Sequence, residues 1–350
     1  MVPNTIVLTR WLGIATISFA LAACGSSQTT HGDSNSAATS TAKTQATSTA
    51  NTTATADKPA DSPDKKGETA SGTPAKSGSG SNQGAEDDRP YQLTNFELDR
   101  PPYAYTLKTA VKVEPSPAPI LTKVSEKKNK ISDMTAWFEQ NGLSIAGRKP
   151  RNGPEYPTPP VASYATSGSD KLHYLLAHAD HSILMYGRDF SSTTMLLLLD
   201  QREIARGQYD FSTWVKPAEV VAGEEKFTNN EVVWAQKVND ILYVSTMHHT
   251  FAKSSKGKNA FLSAIGTNDG ELRWQSEPLV CNAETFVIHG AYIICGYGFS
   301  KEDDFLYVIS RSDGKTVSKT PINNGPTYIV KKGNQLFVRT YDIDYVFDVK

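Results

Sequence analysis

Between Gly25 and Pro90 the chain runs for 66 residues without a single Val, Ile, Leu, Met, Phe, Trp or Tyr. No other feature restricts the fold so strongly. Ordering a backbone costs about 1–2 kcal/mol per residue, and this run of Ser, Thr, Ala, Gly, Asn, Lys, Asp and Pro has no large apolar side chain to offset that cost. Residues 24–90 are therefore expected to form a disordered tether. At about 5–6 Å × √n for a flexible chain, its typical reach is roughly 40–50 Å. The stretch divides the sequence into an apolar head (1–23), the tether, and residues 91–350, which hold the apolar side chains for one folded domain. The formal net charge is −1. With no basic excess to neutralise phosphates, nucleic acid is not expected as a partner.

The head places Arg10 ahead of a 13-residue apolar run, Trp11 to Ala23. That run is shorter than the ~20 residues needed to span a bilayer and reads as a secretory signal. Leu21-Ala22-Ala23-Cys24 resembles the lipobox of bacterial lipoproteins. The resemblance implies cleavage before Cys24, diacylation of its thiol and acylation of the new amino terminus. Two or three acyl chains meet the requirement for stable attachment to membrane lipid. Gly25, rather than Asp, follows the cysteine. By the same resemblance this favours the outer membrane, with periplasmic or surface exposure left open.

From Tyr91 onward the pattern is that of β-structure. Phe261 to Gly270 (FLSAIGTNDG) aligns without gaps with Phe305 to Gly314 (FLYVISRSDG), 44 residues later. Each copy is an apolar strand ending in an Asp-Gly turn, which suits a tight hairpin because glycine accepts positive φ. Return strands are expected at Leu272 to Trp274 and Thr316 to Ser318. A further strand recurs at 240–245, 291–295 and 335–339, with a weaker early copy at 182–186 followed by 195–199. The copy at 195–206 lacks the Asp-Gly turn. A helix is expected from a cap at Ser132 or Asp133 to Gly142, with Met134, Trp137 and Phe138 on its apolar face. Residues 148–161 read as a loop.

Units of three or four short strands at this spacing indicate an all-β propeller. A β-sandwich is the alternative. The strand, Asp-Gly turn and Trp274 resemble the quinoprotein-type (PQQ-like) β-propeller repeat, in which the Trp locks adjacent blades. Ser318 stands where a second such Trp would fall. Behind a lipobox, the pattern is similar to the propeller lipoproteins of the outer-membrane assembly machinery, but the domain is short for eight blades, and about five or six are expected. The last unit has two strands, 335–340 and 343–349. The resemblance implies that an N-terminal strand completes it, with Ala104 to Val113 or Tyr91 to Leu98 as the candidates.

Candidate chemistry is sparse. Cys281 and Cys295 flank an expected hairpin with its turn at His289-Gly290, and stand as a candidate disulfide or as two buried thiols. A two-residue turn there would set Cys295 opposite Glu284, a register that needs a bulge or longer loop before a bridge can form. His173, His178 and His181, and the adjacent His248 and His249, read as ordinary rim histidines rather than metal ligands. Asp303-Asp304 and Glu224-Glu225 read as solvated turn charges. With no adjacent cysteines, no quinone cofactor is expected, and no catalytic motif is present. The chain is therefore expected to be a non-catalytic, membrane-anchored scaffold that binds another envelope protein. The alternative is a glycan or small-molecule binding module using the propeller face, with Tyr297, Phe299 and Trp214 as stacking candidates or as blade core.

Overall fold

The computed structural model describes residues 93–130, 134–144, 159–189, 192–220, 222–224, 228–248, 256–299 and 302–350. The chain divides into Met1–Ser81 and Asn82–Lys350, and every described residue belongs to the second unit. Cys24, the tether, most of the 148–161 loop and the helix cap at Ser132 or Asp133 lie outside the described residues. Among those described, no helix is long and apolar enough to cross a membrane.

The second unit is nearly all β. Its chain opens with β1 (Thr94–Glu97), β2 (Thr106–Leu107) and β3 (Leu121–Lys128), then α1 (Met134–Asn141). Next come β4 (Thr166–Ser167), β5 (Asp170–Ala177), β6 (His181–Gly187), β7 (Thr193–Asp200) and β8 (Ala205–Asp210). A second group is β9 (Glu231–Val238), β10 (Ile241–Met247), β11 (Phe261–Gly266) and β12 (Leu272–Gln275). The third is β13 (Val287–His289), β14 (Tyr292–Tyr297), β15 (Asp304–Ser310) and β16 (Thr316–Ile322). The chain ends with β17 (Pro326–Lys332), β18 (Gln335–Thr340) and β19 (Ile343–Val349). They form four sheets, ordered β1-β8-β7-β6-β5-β4, β2-β12-β11-β10-β9, β13-β14-β15-β16 and β17-β18-β19-β3. Each contains four antiparallel strands, three of them consecutive in the chain in the fourth sheet and all four consecutive in the others, as in the meander of a propeller-like domain. The repeating strands fall where the sequence pattern set them. So does the helix, with Trp137 and Phe138 buried.

Two expectations need correction. Four sheets are found among the described residues, where five or six blades were expected. The fourth sheet is completed by β3, not by Ala104–Val113 or Tyr91–Leu98. Val349 pairs with Leu121 and Ile343 with Lys128 along an antiparallel ladder. Pro115, Pro117 and Pro119 cannot donate to a ladder, while the proline-free run that follows Pro119 supplies the eight residues of β3.

Residues 93–130 serve instead as a belt around the sheets, which is where the length for a further blade has gone. β1 adds in parallel to β8 at the outer edge of the first sheet. Beyond it, Thr213 Oγ1 and Trp214 Nε1 donate to the carbonyls of Leu98 and Asp99 at 2.7 and 2.8 Å. β2 then adds to β12 of the second sheet. The Val111 N–H reaches the Ser312 carbonyl of the third sheet at 2.8 Å, and Ser116 Oγ accepts from the Ala291 N–H at 2.9 Å. Ile120 bonds Lys350 as the belt enters β3. The outer edge of β16 takes no belt strand; Lys315, Lys319 and Pro321 guard it in the manner of a protected edge.

The 44-residue self-match becomes a pair of equivalent locks between sheets. Gly270 and Gly314 hold φ of 70° and 75°, with their N–H groups bonded to Gly266 and Ser310 carbonyls. A Cβ on Gly314 would stand 2.4 Å from the Trp274 ring. That ring, fully buried, donates Nε1–H to the Arg311 carbonyl at 2.9 Å. One sheet earlier the same task is shared by two residues. Phe96 lies over Gly270 and stacks on Tyr209 at 5.0 Å, while Tyr209 Oη donates to the Thr267 carbonyl at 3.0 Å. Thr267 and Arg311 are equivalent positions of the repeat. The loose copy at 195–206 has a turn one residue shorter, the Glu203 N–H bonding the Asp200 carbonyl, and Glu203 supplies the positive φ of 62° itself. Trp274→Ala should lower unfolding stability by about 3–5 kcal/mol, the usual cost of emptying a buried aromatic site. Ser318→Ala, at the exposed corresponding position, should stay within about 0.5 kcal/mol. Urea unfolding followed by circular dichroism checks both.

Candidate functional site

Segments of all four sheets border one cavity of about 320 Å³. His178, just past β5, borders it with Trp234 and Gln236 of β9. Thr285 to Ile288, leading into β13, and Ile329 to Lys331 of β17 supply the rest, with Ser144 beyond α1. Residues from all four sheets thus border this one cavity. Its size is at the low end of the ~300–1,000 Å³ typical of small-molecule sites.

The wall combines Phe286, Ile288, Ile329 and Val330 with polar groups, and its accessible surface is more polar than apolar. Thr285 is satisfied: its hydroxyl donates to the Ile329 carbonyl at 2.8 Å and accepts the Ile329 N–H at 2.9 Å, closing the seam between the third and fourth sheets. Lys331 is the formal cation of the lining, and none of the lining residues is Asp or Glu. Trp234 is only 4% exposed, yet its Nε1–H finds no acceptor among the described residues. A buried donor left unpaired costs about 1–3 kcal/mol. Sequence reasoning overlooked Trp234 because it follows a Val-Val pair in a strand and reads simply as core.

The histidines are placed by packing. His178 and His181 stack at 4.5 Å, and His178 meets Trp234 edge-on at 5.9 Å. A carbonyl only accepts, so the His178 Nε2 that sits 3.2 Å from the Ala235 carbonyl carries the proton. His181 Nε2 accepts the Lys237 N–H at 3.1 Å, so its proton is on Nδ1, facing Asp180 at 2.8 Å. Two neutral rings thus stitch the first sheet to the second. His173, a bulged residue of β5, bonds the Gly187 carbonyl instead, 3.0 Å away. Among the described residues no group of three His, Cys, Asp or Glu side chains could hold a metal; His249 lies outside them.

Cys281 and Cys295 are joined by a disulfide with Cα atoms 5.4 Å apart, both fully buried. The hairpin turns at Gly290-Ala291, pairing Val287 with Ile294, so Glu284 is not opposite Cys295. The chain bends ahead of β13, and the N–H groups of Asn282 and Ala283 both bond the Gly296 carbonyl. That bulge brings the two cysteines together. Asp304 departs from the solvated-turn expectation. It sits in β15, where burial pushes its carboxyl up to about 6. Glu225 lies outside the described residues. Tyr297 and Trp214 are buried and Phe299 packs on Tyr297 at 5.8 Å, so all three serve the core.

No family model matches the sequence, and no curated protein matches it. Among solved structures, BamB from Moraxella catarrhalis is similar at 12% identity over 49% of this chain and 56% of that one, with a TM-score of 0.28. A europium-containing methanol dehydrogenase is similar at 12% identity over 43% of this chain and 24% of its own, with a TM-score of 0.28. The computationally designed Ika8 protein is similar at 7% identity over 51% of this chain and 58% of its own, with a TM-score of 0.25. The chain thus spans little more than half of BamB. Likenesses this slight do not carry the fold, which rests on strand order and register.

The His178–His181 pair makes stability depend on pH. Burial, with the neighbouring His181, holds His178 down to about 4, and burial also lowers His181 despite Asp180. The unfolded chain takes up protons below about pH 6.5 that these folded rings exclude, so stability is complete above that pH and is lost as pH falls toward 4. The urea midpoint should be lower at about pH 5 than at about pH 7.5, and His178→Gln, which keeps an N–H for Ala235, should shrink that difference.

Proposed function

We propose that this chain is an exported lipoprotein, anchored to envelope lipid through acylated Cys24, whose propeller-like domain serves as a non-catalytic scaffold for another envelope protein. The observation that carries the reading is the sequence address. Leu21-Ala22-Ala23-Cys24 is followed by 66 residues that cannot form a core, and then by a folded unit. Two or more acyl chains give stable anchoring, and the tether lets a domain search a radius of roughly 40–50 Å. Gly25 favours the outer membrane as the destination.

The domain suits such work because its sheets present exposed turns, among them the one at Asp269. The belt strengthens this reading. The chain leading from the tether is tied to every sheet in turn, so a pull on the tether is spread across the domain rather than borne by one strand. Cys24→Ser should abolish incorporation of labelled fatty acid into the full chain. The full lipidated chain, used as bait in detergent-solubilised membranes, should retain an envelope protein above a signal-peptide-only control. No retained protein would count against the scaffold role, and fatty acid still carried by the Cys24→Ser chain would count against the anchor.

A further inference from the structure

We propose that the outer edge of β16 receives an extended, acidic peptide segment of a partner protein as an added strand. The inference rests on the scaffold reading and names the docking edge and the chemistry of the partner that fits it.

The molecule itself uses this edge position twice. In the register with the strand before it, β8 passes over Arg206, β12 passes over Arg273 and β16 passes over Val317. A residue bulged out in this way has no partner across the ladder. Past the bulge, β8 takes β1 along Gly207 to Asp210, and β12 takes β2 at Trp274 and Gln275. The Arg273 carbonyl itself accepts the N–H groups of Lys108 and Thr109 at 2.8 and 3.0 Å. Val317 follows Arg273 by 44 residues, the offset of the repeat, which sets its carbonyl outward in the same way. Alternate residues of an antiparallel strand turn their backbone groups to the same side. Lys319 therefore offers an N–H and a carbonyl outward, and Pro321 a carbonyl only. No belt strand covers this edge, and Thr316 to Lys319 are all exposed.

Charge selects the occupant. Lys315 precedes β16, Lys319 lies within it, and Thr316–Ile322 holds no acidic residue. Lys315 meets Asp313 only at 4.0 Å, and the Lys319 ammonium lies over the Phe305 ring at 4.3 Å. Lysines and a proline keep indiscriminate pairing from an edge; the same lysines favour a strand that sets carboxylates opposite them. A second copy of β16 would instead bring lysines toward lysines. Asp304 pairs with Ile322 at the far end of the strand, so the guest's acidic residues belong at the Lys315–Lys319 end. Val317, 48% exposed, offers an apolar neighbour to a β-branched residue. Main-chain bonds give such an added strand its affinity, and side chains give it selectivity.

The test uses the full chain in detergent and a labelled, end-blocked heptapeptide, Thr-Glu-Val-Glu-Val-Glu-Thr. One control replaces each Glu by Lys, and two more are N-methylated on one or the other alternate set of residues. Fluorescence anisotropy measures affinity, and hydrogen exchange over Thr316–Ile322 reports the place of binding. The acidic peptide should bind at least about tenfold more tightly than the lysine peptide and slow exchange in β16. One methylated pattern should bind like the parent and the other at least about tenfold more weakly, because only one set of N–H groups faces the edge. Lys319→Glu should weaken binding by about tenfold, and Lys319→Pro should weaken it beyond Lys319→Gln by removing the outward N–H. The proposal is overturned if the acidic peptide does not bind, if the lysine peptide binds as well, if both methylated patterns match the parent, or if exchange in β16 is unchanged. Should the variants fail to fold by circular dichroism, the peptide controls on the unaltered chain decide. A bait that retains an envelope protein equally well after Lys315→Glu and Lys319→Glu together overturns the edge and leaves the scaffold reading standing. A bait that retains nothing removes the scaffold reading, while the peptide arms still decide the edge.

Discussion

An aromatic ring seated on a turn glycine is the contact on which the arrangement of sheets depends. A four-stranded antiparallel sheet with two apolar faces is not stable in water by itself; each face must be covered by a neighbour. Here the covering is given a fixed register by one repeated device. The turn after the third strand adopts a positive φ at glycine, which exposes a carbonyl and leaves room for a ring from the preceding sheet. The ring fills that room and donates to the carbonyl. Trp274 does both for Gly314 and Arg311. Phe96 and Tyr209 divide the task for Gly270 and Thr267. Hydrophobic area alone would let the sheets slide past one another; the directed N–H and O–H bonds do not.

The belt follows from the same requirement. Adding strands at the outer rim covers edges that would otherwise offer unpaired backbone groups to other chains. Phe96 shows that the belt is part of the packing, since without it the first lock has a donor and no ring. The order of contacts, from the first sheet to the fourth, also explains why a segment with prolines at 115, 117 and 119 is tolerated. It crosses between sheets there and makes single hydrogen bonds instead of a ladder.

Much of this was readable in the residues. The Asp-Gly turns, the strand lengths and the helix at Trp137 and Phe138 follow from local pattern, because turn chemistry and side-chain periodicity act over a few residues, while the role of Trp274 was implied by the resemblance to the quinoprotein-type repeat. The closing strand, the bulge that brings Cys281 to Cys295, and the split lock of Phe96 and Tyr209 were not readable. Each joins segments far apart in the chain or depends on one extra residue in a strand, and such a shift changes which side chains face one another without changing composition. The candidate site was hidden for a related reason. Trp234 in a strand reads as core, and only the three-dimensional surroundings show that its N–H finds no acceptor among the described residues.

The sequence by itself determined where large apolar side chains are available and where they are not. The run of 66 residues from Gly25 to Pro90 holds no large apolar side chain, and that follows from composition whatever surrounds it. It also determined that the remainder would be repeated β-units, since the self-match is written in consecutive residues. Tertiary structure alone decided which strand completes the last of the described sheets and what lines the cavity. Those outcomes depend on competition among distant segments for the same edges and faces, and the winner is set by register and proline placement in three dimensions.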